Sequence, residues 1–214
     1  MDALLISPPK EAVCERLLQT AVNVFAEHGY KHATIREICT QADVNVASVN
    51  YYFRSKEVLY THTLNYAFGM VRQRYPQTQA MDETLAPEQR LRSFIANFIH
   101  RLMDTGDLGK YSKLITREMV EPTKALSDVI NHAIQPECKV LQEIIEVILG
   151  KTTDTATLNR TLLSIVGQCL VYKHSRPIIE QMFPELIAGE AAINACAEHV
   201  WRFSLAALTH KTPD

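Results

Sequence analysis

Apolar residues recur at three- and four-residue intervals along most of the chain, and strict alternation is scarce, so the pattern predicts helices. Val13, Leu17, Ala21, Val24 and Phe25 form one such stripe. It predicts a first helix from about Pro9 to His28, ended by Gly29 in a left-handed C-terminal position. Thr34-Ile35-Arg36-Glu37 reads as a capping box opening a second helix, with Ile35, Ile38 and Cys39 facing inward. Ala42-Asp43-Val44 reads as a turn, and Asn45 can cap a short third helix from about Val46 to Tyr52. Ser55 can cap a fourth, reaching about Tyr75.

The segment 76–87 is polar with a proline at each end and marks the expected domain boundary. Residues 1–55 are then a three-helix helix-turn-helix, about 55–75 a connecting helix, and 76–214 a helical body. In the body, Leu91, Phe94, Ile95, Phe98, Ile99, Leu102 and Met103 mark an amphipathic helix, and another is expected over about Leu108–Val120. Pro122 fits the first turn of a long helix to Leu149, kinked by Pro136. Asp154 or Thr155 can cap the next, to about His174, and a last one begins after Gly189 and ends near Leu208.

Composition sharpens the fold class to all-α: 47% of 214 residues are apolar, enough for a core, and only 7 are glycine. Net charge is −2, and residues 1–60 hold six Lys/Arg against seven Asp/Glu, which argues against a non-specific DNA coat. A sequence-specific reader needs only a few placed cations and remains open. The apolar run in MDALLISPPKE is short for a signal peptide and no run approaches a membrane span, so a cytoplasmic protein without a membrane partner is expected. Five scattered cysteines fit reduced thiols.

On a helical wheel, Val49 and Phe53 share the inner face of the third helix, flanked by Val46 and Tyr52, and should pack on the first two helices. Ala47, Ser48, Asn50 and Tyr51 then point outward. Asn can pair bidentately with adenine, Ser can donate or accept, and Ala permits close approach to base edges. Thr34, Asn45, Tyr52 and Lys56 fall where helix ends meet a phosphate backbone. A surface helix of any α-protein has the same spacing, so the pattern alone leaves both readings open.

The string from Ala42 to Leu59, ADVNVASVNYYFRSKEVL, resembles the signature of TetR-family repressors. Phe25-Ala26-Glu27-His28-Gly29-Tyr30 and Thr34-Ile35-Arg36-Glu37-Ile38 extend the match over about 10–65. Asp43 stands where the family usually has Gly, and Asn50 where it usually has Tyr. The resemblance implies a homodimer whose third helices enter the major groove of a palindromic operator. It also implies a helical body that binds a small, apolar or amphipathic effector and moves helix 4. Arg117-Glu118-Met119 with Pro122-Thr123, Ile134-Gln135-Pro136, and Ser164–Cys169 resemble the CecR branch of that family, which is linked to drug-sensitivity and efflux genes.

In this reading Leu158, Leu162, Ile165, Val166 and Cys169 on one helix, and Ile193, Cys196, Ala197, Val200, Trp201, Ser204 and Leu208 on the last, build a four-helix dimer interface. The alternative is that both stripes pack inside one subunit. Phe98, Leu102, Tyr111, Ile115 and Met119 could converge with Cys169 and Tyr172 on an effector pocket, with Tyr111, Arg117 and Gln168 as its polar groups. His100 and His132 could line it or be exposed. The cysteines lack a CxxC pair and His28 and His32 are separated by Gly29, so no metal or other cofactor is expected. No nucleophile elbow, phosphate loop or paired-carboxylate motif is present, and no enzyme is expected. A helical interaction module that never touches DNA is the rival class.

Overall fold

The computed structural model describes residues 10–106, 108–150 and 153–210. The expected start at Pro9 lies outside them. Among the described residues the chain forms α1 (Lys10–His32), α2 (Ile35–Ala42), α3 (Val46–Tyr52), α4 (Lys56–Arg74), α5 (Thr78–Met81) and α6 (Pro87–Met103). There follow α7 (Gly109–Val120), α8 (Leu126–Val129), α9 (Gln135–Leu149), α10 (Thr155–His174), α11 (Arg176–Met182) and α12 (Glu190–Thr209), with no strand.

Several boundaries rest on the expected caps. Thr34 Oγ1 accepts from Glu37 N at 3.1 Å, Asn45 Oδ1 from Ala47 N at 2.8 Å, Ser55 Oγ from Val58 N at 3.2 Å, and Asp154 Oδ1 from Thr157 N at 3.0 Å. Gly29 differs from expectation. Its φ of 72° and ψ of 170° lie outside the left-handed helical region, in an extended positive-φ region almost reserved for glycine. The chain then makes one further helical turn to His32.

The chain divides into two compact units, and the division does not follow chain order. The first comprises 10–71 with 108–133, the second 72–106 with 134–210. The first unit is cored by Leu17, Ala21, Val24 and Phe25 of α1, Ile38 of α2, Val49 of α3, Leu59, Tyr60 and Leu64 of α4, and Leu114 of α7. Rings cement it: Tyr60 meets Phe25 edge-on at 4.8 Å and Tyr30 at 4.9 Å.

The second unit packs α6, α9, α10 and α12 around Leu91, Phe94, Ile95, Ile99, Leu141, Ile144 and Ile145. The polar stretch 76–87 contains α5, whose Ala80 is fully buried and whose backbone oxygen accepts from Arg90 Nε at 2.8 Å. The long helix expected over 122–149 is three pieces: α8, a π-helical turn at Ile130–Ile134, and α9. Pro136 sits in the first turn of α9, where its missing N–H is harmless. A continuous helix would have required that N–H, so the ladder shifts register ahead of it.

The two stripes expected to form a dimer interface turn inward. Leu162, Ile165, Cys169, Cys196, Ala197, Val200, Ser204 and Leu208 are buried within the single chain. Leu158, Val166, Ile193 and Trp201 are half-buried, packed against the same core. Polar ties fix this packing: Gln168 Nε2 reaches Ser204 Oγ at 3.3 Å, and Trp201 Nε1 donates to Glu88 O at 3.0 Å. The hydrophobic stripe of each helix is spent on the intrachain core, as in any amphipathic helix of a globular unit. No helix among the described residues is long and apolar enough to cross a membrane.

Candidate DNA-reading face

The turn between α2 and α3 is built without glycine. Asp43 takes the left-handed conformation at φ 52°, ψ 54°, and its N–H reaches the Cys39 and Thr40 carbonyls at the C-terminus of α2. Val44 N donates to Cys39 O at 3.0 Å, and Arg16 Nη2 of α1 reaches Asp43 O at 3.3 Å. Asp tolerates this conformation better than most residues. The turn therefore keeps the geometry that a glycine would give.

From that turn α3 is rolled so that Val49 and Phe53 are buried, as the wheel predicts. Val46 does not flank them inside: it is 42% exposed, because the first residue of a seven-residue helix lies beyond the edge of the small core. Ala47, Asn50 and Tyr51 are exposed, with Tyr51 70% accessible and its ring 5.1 Å from that of Tyr52. Ser48 and Tyr52 are half-buried. Thr34 and Asn45 are exposed and engaged as helix caps. The outward face thus offers an amide, a phenol and a small side chain, without a competing carboxylate on α3 itself.

Lys56 is less free than its position in the sequence suggests. Its Nζ donates to Lys31 O at 3.2 Å and lies 4.8 Å from the centre of the Tyr30 ring. Partial burial lowers its pKa from the ordinary lysine value. Two exposed cations escaped the sequence reading: Arg36 on the first turn of α2, and Arg54 at φ 63° between α3 and α4. Arg54 lies within the signature string, but its positive φ, which directs the side chain, has no mark in the sequence.

Behind the reader, α7 is bolted to it. Glu118 is fully buried and accepts from Tyr60 OH at 2.9 Å, Thr123 N at 2.8 Å and Thr123 Oγ1 at 3.1 Å. Burial and the neighbouring carboxylate push the Tyr60 phenol far above the usual tyrosine range. Arg117 Nη1 donates to the Ala26 and Glu27 carbonyls at 3.3 and 3.2 Å, closing the last turn of α1 before Gly29. Asn65 of α4 donates to Asp128 of α8 at 2.7 Å.

The residues expected to line one effector pocket fall into different units. Tyr111, Ile115, Arg117 and Met119 belong to the first. Tyr111 is buried beside Tyr66, Arg117 is engaged with α1, and Met119 is 39% exposed. Phe98, Leu102, Gln168, Cys169 and Tyr172 belong to the second. Cys169 is fully buried in its core, where burial pushes its thiol up to about 12. Phe98, Leu102 and Tyr172 are half-buried there. Beside Phe98, Arg101 stacks at 4.8 Å and grips Glu137 with two bonds of 2.7 and 2.6 Å. That pair, 36 residues apart in sequence, carries no local spacing signal. His100 bonds Asn194 at 2.7 Å, and His132 is largely exposed beside Asp128.

The Thr34-capped α2, the tight turn at Asp43 and the Asn45-capped α3, with Val49 and Phe53 buried and its polar face outward, have the layout of a helix-turn-helix DNA-binding element, here carrying a helical body. Comparison with known proteins narrows the class. Residues 17–63 match the family described as bacterial regulatory proteins, tetR family, and residues 87–208 match the C-terminal domain of the HTH-type transcriptional dual regulator CecR. The chain is 32% identical over 181 residues to the HTH-type transcriptional repressor NicS of Pseudomonas putida, covering 83% of this chain and 84% of that one. It is 28% identical over 177 residues to the dual regulator CecR of Shigella flexneri, covering 79% of each. Two solved structures share the fold. FadR of Bacillus subtilis in complex with stearoyl-CoA has a TM-score of 0.68 at 17% identity, covering 90% of this chain and 97% of that one. A TetR-like regulator from Rhodococcus has a TM-score of 0.68 at 16% identity, covering 95% and 99%. The protein belongs to the TetR family of transcriptional regulators, with a C-terminal domain of the CecR type.

Proposed function

We propose that the protein is a ligand-responsive repressor that binds a palindromic operator as a homodimer, acting in the cytoplasm. The outward face of α3 carries this reading. Ala47, Ser48, Asn50 and Tyr51 reach base edges, and Thr34, Asn45, Tyr52 and Lys56 hold the phosphate backbone. The repressor NicS supports the direction of control, and the resemblance of the body to the CecR branch is the ground for taking drug-sensitivity or efflux genes as targets.

The dimer forms through the faces of α10 and α12 that the intrachain core leaves over. Leu163 at 66% exposure and Val171 lie on one, with Gly167 between them opening onto free space, and Phe203 at 60% beside His199 on the other. Such apolar exposure on two long helices supports a partner surface.

The effector is an apolar or amphipathic small molecule received in the second unit around Phe98, Leu102 and Tyr172. The stearoyl-CoA bound by FadR supports a ligand with both a long apolar and a charged part. It releases DNA by favouring the conformation with misplaced readers, and a swing from 1:99 to 99:1 needs about 5.5 kcal/mol of differential affinity. The test is a panel of amphipathic molecules scored for thermal stabilisation and for operator release, with Leu102→Trp as the control. Compounds should do both to the wild type, while Leu102→Trp keeps operator affinity and loses the response. Compounds that stabilise the protein and never loosen the operator would contradict the coupling.

A further inference from the structure

The first unit contains a cavity of about 490 Å³ that no residue of α3 lines. Its walls are the end of α1 and the joint to α2 at His28–His32, Tyr60 of α4, Arg117 of α7, and the loop at 121–123. The volume is that of an ordinary small-molecule site.

Arg117 is its principal charged group, and its geometry is unusual. A Cβ on Gly29 would lie 2.7, 2.9 and 3.0 Å from Arg117 Nε, Cζ and Nη2. Three nearly equal distances mean that the guanidinium lays its face, not its edge, over the bare glycine. Nη1 is used by the Ala26 and Glu27 carbonyls. The opposite edge, Nε–H with Nη2–H, has no acceptor among the described residues. That edge is the fork that pairs bidentately with a carboxylate or phosphate.

The surrounding charges favour the same class. Lys31 adds a second cation to the wall, and His28 and His32 add ring nitrogens. Glu37 faces His28 at 3.2 Å. Glu118 is saturated by Tyr60 and Thr123. Glu121, exposed, is the carboxylate that lines the cavity. The Tyr30 and Tyr60 rings supply apolar wall.

We propose that this cavity binds a small organic anion, a carboxylate or phosphate monoester, on the free edge of Arg117. The site lies wholly within the DNA-reading unit, so its occupant is a ligand distinct from the effector of the second unit. A half-buried guanidinium in a recess admits a small anion more readily than a phosphodiester anchored in a duplex.

The test uses the full chain, without DNA, titrated with benzoate and with inorganic phosphate while the arginine Nε–H and backbone resonances are followed by NMR. The proposal expects saturable shifts at Gly29, Lys31 and one arginine Nε–H that disappears in Arg117→Lys. Arg117→Met should weaken binding about tenfold or more, the loss of a charge-assisted pair. Glu121→Gln leaves the α1 contact intact and should tighten binding by about threefold. Shifts that do not saturate and spread over many exposed cations would overturn the proposal. So would unchanged affinity in Glu121→Gln together with Arg117→Lys. If neither anion binds and Arg117→Lys instead lowers operator affinity and alters its salt dependence, Arg117 contacts DNA and the site is not a small-molecule one.

Discussion

Two positive-φ residues frame the reader, and their costs differ. Asp43 is left-handed, which costs an L-residue roughly 1–2 kcal/mol and Asp less, while glycine there would add unfolded-state entropy of a similar size. The terms offset, so Asp43→Gly should change stability by no more than about 0.5 kcal/mol. Gly29 is another matter. Its conformation is almost closed to other residues, and any Cβ displaces the guanidinium that closes α1. Gly29→Ala should cost about 1–3 kcal/mol. Denaturant titration of both variants checks this, and equal effects would show that the Arg117 contact and the backbone strain at Gly29 contribute nothing. The capping residues Thr34, Asn45, Ser55 and Asp154 were legible in the sequence because a cap acts over three residues. The Arg117 and Glu118 contacts were not, since their partners lie 91 and 58 residues away.

At the scale of elements, periodicity located the long helices and misjudged what their stripes face. Ile165 and Val200 mark the apolar side of α10 and α12 equally well whether the partner is another helix of the chain or another chain. Here the stripe serves the chain, and the residual face bears Leu163, Val171 and Phe203. The two faces separate by mutation. Leu163→Asp should leave the fold intact and, if the dimer is as proposed, yield a monomer with much weaker operator binding. Ile165→Asp buries an unpaired carboxylate in the core and should unfold the second unit. Sedimentation and circular dichroism distinguish them. A folded wild-type monomer at micromolar concentration would contradict the assembly. The break at Ile130–Ile134 also escaped periodicity, because a π turn adds one residue to the helical ladder without disturbing the apolar count.

For the whole molecule, the sequence identifies a reader followed by a body, whereas the compact units cut across that order. α7 and α8 pack with α1 and α4, through Glu118, Arg117 and Asn65, so the reading unit includes two helices from the second half of the chain. The chain passes between units within α4, near Gly106, and at the π-helical turn.

The proposed function stands or falls with base reading by α3. Selection of bound duplexes from a random pool, with wild type, Asn50→Ala and Lys56→Ala at several salt concentrations, tests it most directly. The wild type should enrich an inverted repeat. Asn50→Ala should lose about 1–3 kcal/mol per half-site and relax preference at one base position in each half. Lys56→Ala should weaken all sequences alike and reduce the salt slope by about one charge per subunit. A wild-type pool without an enriched sequence, or an Asn50→Ala preference identical to wild type, would contradict the account.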